Sequence, residues 1–546
     1  MADATFDAVL IGGGTKGLIT AMYLAKYGGM SVGIFERGHE AGGAWTTEEC
    51  AVPGFLTECH ASSTNRIYMV PVEKDFPDWE ELGGMFNDLS VGQVALFEED
   101  QSHILIYGAN QDPSGERTAA SIARHSEKDA EAWLTTIPKL REQLLPLYLK
   151  WLYTPATPPG ETDALDKLFS DPASGFDPRW TTMSPYEVCS ELFESDRLIA
   201  ATLRRAMAMG FYPGIRGLVG PLAAFVAAGP VGGGGKWGTT GGTHQFAHAA
   251  AKILWDNGAK IFTKREVDKV IIENGKAMGI RLTDGTEIAA RKLVLSGLDP
   301  RTLCFRLIGK EHISEDIRKK VGNLQTKHNF LTWYSFAVHE SPDWKAAADN
   351  PDINKAQSAL LISKDPKAML KDQVLTEEGK IPNELSFHIM NHSLADKRRA
   401  PKGKFCIQVE GHTVPATART EKEWLQFKKD FAKRIIKRWE HFAPNMTWDN
   451  VIGYYPNTPY DIAKRLPNMG PEGCWAIIDF IPSQFGRNRP IPELARHRTP
   501  IENLYATGSA WHPFANATCM QGYNCYKIIA EDFGLGKPWE KEGRSF

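Results

Sequence analysis

Gly12-Gly13-Gly14-Thr15-Lys16-Gly17 has the G-x-G-x-x-G spacing with which a backbone holds a diphosphate, and an acid, Glu36, stands nineteen residues past Gly17. Gly12 permits a tight turn, Gly14 lets a pyrophosphate approach the main chain, and Gly17 lets a helix pack closely on a strand. Glu36, followed by Arg37, can accept hydrogen bonds from a ribose diol. The flanking residues supply the elements this needs. The apolar run 6–11 reads as a strand, 18–27 as a helix, and 31–35 as a second strand that ends on Glu36. Free N–H groups and the positive end of that helix would then hold the diphosphate.

NAD and FAD both present ADP to such a site, and two further features favour FAD. Gly42-Gly43-Ala44-Trp45 lets the backbone pass close to an extended cofactor. Far along the chain, 503–507 reads as a buried strand ending in a turn at Gly508-Ser509, and Gly522-Tyr523-Asn524 opens a final helix over 525–533. A helix start there would face the pyrimidine edge of a flavin and stabilise charge on reduction. FAD needs that second contact; NAD does not.

These segments resemble the phytoene-desaturase-like flavoproteins: carotenoid desaturases and isomerases, carotene ketolases and retinol saturases. The resemblance rests on the first 47 residues with Thr46-Thr47-Glu48-Glu49, on Ile122-Ala123-Arg124-His125-Ser126-Glu127-Lys128-Asp129-Ala130-Glu131, on Gly241-Gly242, on Ser296-Gly297-Leu298-Asp299-Pro300, and on 503–508 with the Gly522 helix. It implies an FAD-dependent oxidoreductase with Val267 placing its backbone against the adenine. The chain departs from the family at Ala44, where an arginine is common, and at Phe514-Ala515-Asn516-Ala517, which lacks the usual glycines. In the family those loops face flavin and substrate.

The 546 residues exceed one typical core, and 42% apolar with 24% charged residues is the composition of a soluble globular protein. A net charge of −3 gives no sign of a nucleic-acid partner. The eight cysteines form no C-x-x-C pair, which predicts reduced core residues, no metal centre and a cytoplasmic setting. No run reaches the length of a membrane span, and the early first strand predicts no signal peptide. Peripheral membrane contact and oligomeric state stay open.

Motifs at both ends make the expected fold a mixed α/β one (α+β overall): a discontinuous Rossmann-type FAD-binding domain, over 1–115, 230–320 and 450–546, with an inserted substrate domain over 116–229 and 321–449. Within it, 119–151 and 185–211 read as helical, 245–257 as a helix, and 260–263, 267–273, 277–282, 286–288 and 292–296 as strands. Asn274-Gly275 and Asp284-Gly285 mark the hairpin turns. Gly233-x-Gly235-x-x-Gly238 repeats the nucleotide motif in form, but no strand precedes it and no acid follows; it reads as a flexible entry to the substrate domain, with Trp237 lining the pocket. From Thr420, a capping box opens a helix with Trp424, Phe427, Phe431, Ile435, Trp439 and Phe442 on one face and lysines and arginines on the rest. Core packing accounts for that stripe better than a membrane surface does.

A flavin takes a hydride at N5, so the protein mainly binds, orients and excludes water. His60 and His512 are the candidate proton acceptors, and Trp511 the candidate at the ring's edge; His244 has a weaker claim. The reading is an FAD-dependent dehydrogenase, desaturase or saturase acting on a hydrophobic, unsaturated or isoprenoid-like small molecule. Its rivals are a flavin oxidase of a smaller aromatic or polar substrate, and a carrier of the same fold without redox turnover.

Overall fold

The computed structural model describes residues 3–546 apart from 63, 89–90, 228–235, 364, 384–385, 542 and 545, and gives no side chains for 226–227 and 236–237. Two seven-stranded sheets organise the chain. In the first, Ala4–Ile11 lies between Glu287–Ser296 and Val32–Phe35, parallel to both, and Lys260–Phe262 extends the parallel run. Val267–Glu273 and Lys276–Leu282 form the expected hairpin at Asn274-Gly275. The residues expected as two strands, 286–288 and 292–296, make one long strand, Glu287–Ser296, that changes partner along one edge. Its start pairs antiparallel with Lys276–Leu282, and its end pairs parallel with Leu504–Ala506. The central strands Ala4–Ile11 and Val32–Phe35 are apolar on both faces because both faces are covered. Ala8, Leu10, Val32 and Ile34 pack under Thr15–Lys26, which itself meets His244–Asp256 and Met520–Phe533. Phe6, Val9, Ile11 and Phe35 pack with Val267, Leu303 and Leu307.

The second sheet runs Val451–Asn457, Leu331–Val338, Phe405–His412, Phe387–Asn391, Ala356–Ile362, Val91–Phe97 and His103–Tyr107. Two stretches expected in the nucleotide domain pair within this sheet. Residues 91–107, assigned to the nucleotide domain, pair through Val91–Phe97 with Ala356–Ile362, and 451–457 pairs with Leu331–Val338. Both stretches therefore lie with the second sheet.

One face of that sheet packs Tyr334, Phe336, Ile389 and Val409 against Phe431, Ile435, Trp439 and Phe442 of the helix Glu421–Phe442. The aromatic stripe is thus buried in the protein, as its core reading expects. Among the described residues no helix is long and apolar enough to cross a membrane. The helical section divides more finely than its periodicity implies. Residues 116–152 form three helices, because Ser126 caps a new start by accepting from the Asp129 N–H at 3.0 Å. Asp129 in turn accepts from the N–H groups of Glu194 and Ser195, both at 2.9 Å, where 185–211 also breaks in two.

Candidate active site

The turn after Ala4–Ile11 opens on Gly12 at φ +87°, a left-handed conformation that favours glycine. A Cβ on Gly17 would lie 2.9 Å from the Gly12 carbonyl oxygen, so this glycine keeps helix and turn in close contact. Gly14 is different: a Cβ there meets no atom within 4 Å, and Gly14 lines an open groove. No side chain caps the helix Thr15–Lys26 and no acid occupies its first turn. The N–H groups of Thr15, Lys16 and Gly17, which also line the groove, therefore have no intrahelical partner and carry the positive end of the dipole. Each Glu36 oxygen accepts one backbone N–H, from Gly13 at 2.8 Å and from Gly38 at 2.6 Å, which fixes the carboxylate and leaves a lone pair on each oxygen.

The other end of the chain closes the same groove. Thr507 N–H donates to the Ser296 carbonyl at 2.9 Å, which carries Gly508 and Ser509 to the groove beside Gly297 and Leu298. Lys16 Nζ bonds the Asn516 carbonyl, Trp45 Nε1 donates to the Ala517 carbonyl at 2.8 Å, and Thr20 Oγ1 donates to the Gly522 carbonyl at 2.9 Å. Burial pulls the Lys16 ammonium down to about 7. The groove has a volume of about 710 Å³. Twelve of the expected cofactor residues line it: Gly12, Gly14, Thr15, Gly17, Glu36, Arg37, Gly43, Ala44, Trp45, Val267, Gly508 and Ser509. The Val267 carbonyl is engaged by Arg306 Nη1 at 3.1 Å. Gly42 lies just behind, its N–H donating to the Gly13 carbonyl at 2.8 Å. Gly43, at φ +59°, would put a Cβ 3.0 Å from Gly14 Cα.

Gly522 and Tyr523 have another place. Their helix begins at Met520 rather than 525, and a Cβ on Gly522 would come 2.5 Å from the Lys16 carbonyl oxygen. Gly522 therefore serves the crossing of two helices, and Tyr523 packs its ring against Tyr23, Tyr153 and Trp539. Trp511 also leaves the expected position at the ring's edge: it is fully buried beneath Gly508 and donates Nε1–H to the Leu494 carbonyl at 3.0 Å. His512 lines neither this groove nor the cavity beside it; its Nε2 bonds the Trp151 carbonyl at 3.1 Å, and burial lowers its pKa. The side chain of Trp237, with Gly233 and Gly235, lies outside the described residues.

Ala44, Met469 and Ser509 line both the groove and a second cavity, of about 180 Å³. His60 lines this cavity. Both its ring nitrogens are buried without a hydrogen-bond partner, and its ring meets Trp333 edge-on at 6.1 Å. Burial, with the charge of Arg465, pushes its pKa down to about 3. It is neutral at physiological pH, a weak proton acceptor but a ready hydrogen-bonding group for whatever fills the cavity.

The far wall holds residues the motifs do not reveal. Gln93, Ser358, His388, Glu410 and Trp333 come from five strands of the second sheet, and Arg205 from the helix Asp196–Ala208. The available signal is a polar residue at every second position of apolar strands, as in Gln408-Val409-Glu410-Gly411-His412. Among the described residues one cluster has metal-ligand geometry, Glu48 with Cys50 and Cys59, whose Sγ atoms are 3.1 Å apart. Arg465, ion-paired with Glu48, puts a fixed positive charge on it and disfavours a cation.

The family model of an NAD(P)-binding Rossmann-like domain matches residues 10–67. A limonene dehydrogenase chain from Castellaniella defragrans is 25% identical over 98% of this chain and 96% of its own length. The neurosporene-forming phytoene desaturase of Rhodobacter capsulatus is 26% identical over 52% of this chain and 51% of its own. Among solved structures, a variant of putrescine oxidase shares the fold, with a TM-score of 0.62 at 13% identity over 97% of this chain and 99% of that one. Motifs, groove and relatives agree: this protein is an oxidoreductase of mixed α/β fold with a Rossmann-like domain, similar to limonene dehydrogenase and the phytoene desaturases.

Proposed function

We propose that the groove holds FAD, and that the protein is a dehydrogenase, desaturase or saturase of an apolar, unsaturated or isoprenoid-like small molecule bound in the adjoining cavity. The observation that carries this reading is the shared wall of Ala44, Met469 and Ser509, through which the groove built from both chain ends borders the cavity. A bound flavin supplies a two-electron acceptor or donor at N5. The chain's own residues bind and orient. Thr15, Lys16 and Gly17 offer unpaired N–H groups to a diphosphate, the open face of Gly14 admits it, and Glu36 offers lone pairs to a ribose. His60 presents an uncharged imidazole to the substrate, and the buried walls around it exclude water. Hydride removal beside a double bond needs little acid–base help, which suits a site whose candidate base is so weak. Names of the relatives, limonene dehydrogenase and phytoene desaturase, support an apolar substrate.

The test is the visible spectrum of the purified protein, followed by anaerobic additions of isoprenoid, aromatic and amine compounds. Bleaching by an isoprenoid is the expected result for a dehydrogenase; reoxidation of dithionite-reduced protein by an unsaturated isoprenoid is the result for a saturase. Bleaching by amines alone, with rapid return of colour in air, would replace this reading with an oxidase.

A further inference from the structure

The wall of the cavity facing the second sheet is too polar for a plain hydrocarbon. Gln93 and Ser358 are register partners on neighbouring strands, as are His388 and Glu410. Gln93 Nε2 donates to Ser358 Oγ at 3.0 Å, and Ser358 Oγ meets His388 Nε2 at 2.8 Å. With the serine donating its hydroxyl proton, His388 carries its own on Nδ1, which lies 3.9 Å from Glu410 Oε1. Burial keeps His388 neutral, far below its usual range.

The charges along this wall do not cancel. Glu410 is matched by Arg204 at 3.5 Å, and burial raises the carboxyl's pKa, which works against even that one negative charge. Arg205, next in sequence, bonds Gln93 Oε1 at 3.2 Å and makes no ion pair with a carboxylate among the described residues. Its guanidinium, lowered to about 10 by burial, is still a cation at neutral pH. The wall therefore carries at least one positive charge in excess, pointed into a space that also offers a hydrogen-bonded serine and glutamine. An arginine with a fixed fork of donors is matched by a planar oxyanion.

We infer that the cavity takes an apolar molecule that ends in a carboxylate, its anionic end seated on Arg205 beside Gln93 and Ser358 and its apolar body running toward Ala44 and Ser509. This rests on the proposed function only in assigning the cavity to the substrate. The test is calorimetric binding to the purified holoprotein of three probes of equal carbon count: geranic acid, geraniol and myrcene. Geranic acid is expected to bind at least tenfold tighter than either of the others. Arg205→Gln is expected to remove that preference while keeping the visible cofactor spectrum, and Arg205→Lys to keep part of it. Should Arg205→Gln not fold, the wild-type preference and its reduction in Arg205→Lys decide. Equal binding of the three probes, or of none, or an Arg205→Gln protein that binds the acid as well as wild type, would overturn the inference. Because the readout is binding, it fails or succeeds separately from the flavin: a protein that prefers the acid but is neither bleached by it nor, once reduced, reoxidised by it sinks the redox reading alone.

Discussion

Substituting Gly14 by Ala separates cofactor binding from folding. The backbone there is extended, φ −73° and ψ 169°, which alanine adopts without strain, and the new Cβ meets nothing within 4 Å. Loss of unfolded-state freedom favours the variant by about 0.4–1 kcal/mol, and alanine's poorer fit at a helix start takes back a similar amount. The cofactor-free protein is therefore expected to keep its stability to within about 1 kcal/mol. In the groove the same methyl occupies the space through which a diphosphate reaches the Thr15–Gly17 N–H groups. Losing two charge-assisted hydrogen bonds at about 1.5 kcal/mol each costs about 3 kcal/mol, a roughly hundredfold weaker Kd. Quenching of FAD fluorescence on titration into cofactor-free protein measures the affinity, and urea unfolding of the same preparation measures stability. Gly17→Ala is the control, since its Cβ would press on the Gly12 carbonyl at 2.9 Å and should lower both. A Gly14→Ala protein with wild-type FAD affinity, or one that loses several kcal/mol of stability without cofactor, would mean that no diphosphate passes over Gly14.

Glu36→Gln sets an amide NH₂ against the N–H of Gly13 or Gly38, so cofactor-free stability should fall by about 1–3 kcal/mol and FAD affinity at least tenfold; unchanged titration curves would detach Glu36 from the nucleotide. His60 has a folded pKa of about 3, below its unfolded value, so the unfolded chain takes up its proton first and the stability His60 carries is lost as pH falls from about 6.5 toward 3. Between pH 7 and 5 that loss is about 2 kcal/mol for this one group, and His60→Phe should lose that much less than wild type in urea unfolding at the two pH values. Trp439→Ala, in the fully buried stripe, should cost about 3–5 kcal/mol in unfolding experiments; a negligible cost would reopen the membrane-surface reading of that helix.

The nucleotide end of the site is legible because its chemistry is local: Ala4 to Glu36 is one strand, one helix and the next strand, in which Gly12 is set by its left-handed φ, Gly17 by its contact with the Gly12 carbonyl, and Gly14 by the open groove it lines. The C-terminal half is readable only in part. Gly508-Ser509 reaches the groove as expected, but a glycine in a helix can serve packing as well as a cofactor, and Gly522 serves packing on Lys16 and Ile19. Trp511 and His512 follow Gly508 closely, yet the chain folds back so that Trp511 lies under the turn instead of along the groove. The polar cavity wall is hidden for a different reason. It depends on pairing Gln93 with Ser358 and His388 with Glu410, and nothing near Val91–Phe97 announces that its parallel partner is Ala356–Ile362. Strand partners so distant are information of the fold, not of any motif.

On the proposed function, segments from both ends of the chain enclose one flavin dinucleotide. Mass spectrometry of the chromophore released by heat from purified protein, with its ratio to polypeptide, tests it most directly. The prediction is FAD at one per chain; a colourless protein, or one that releases only a nicotinamide nucleotide, would contradict it.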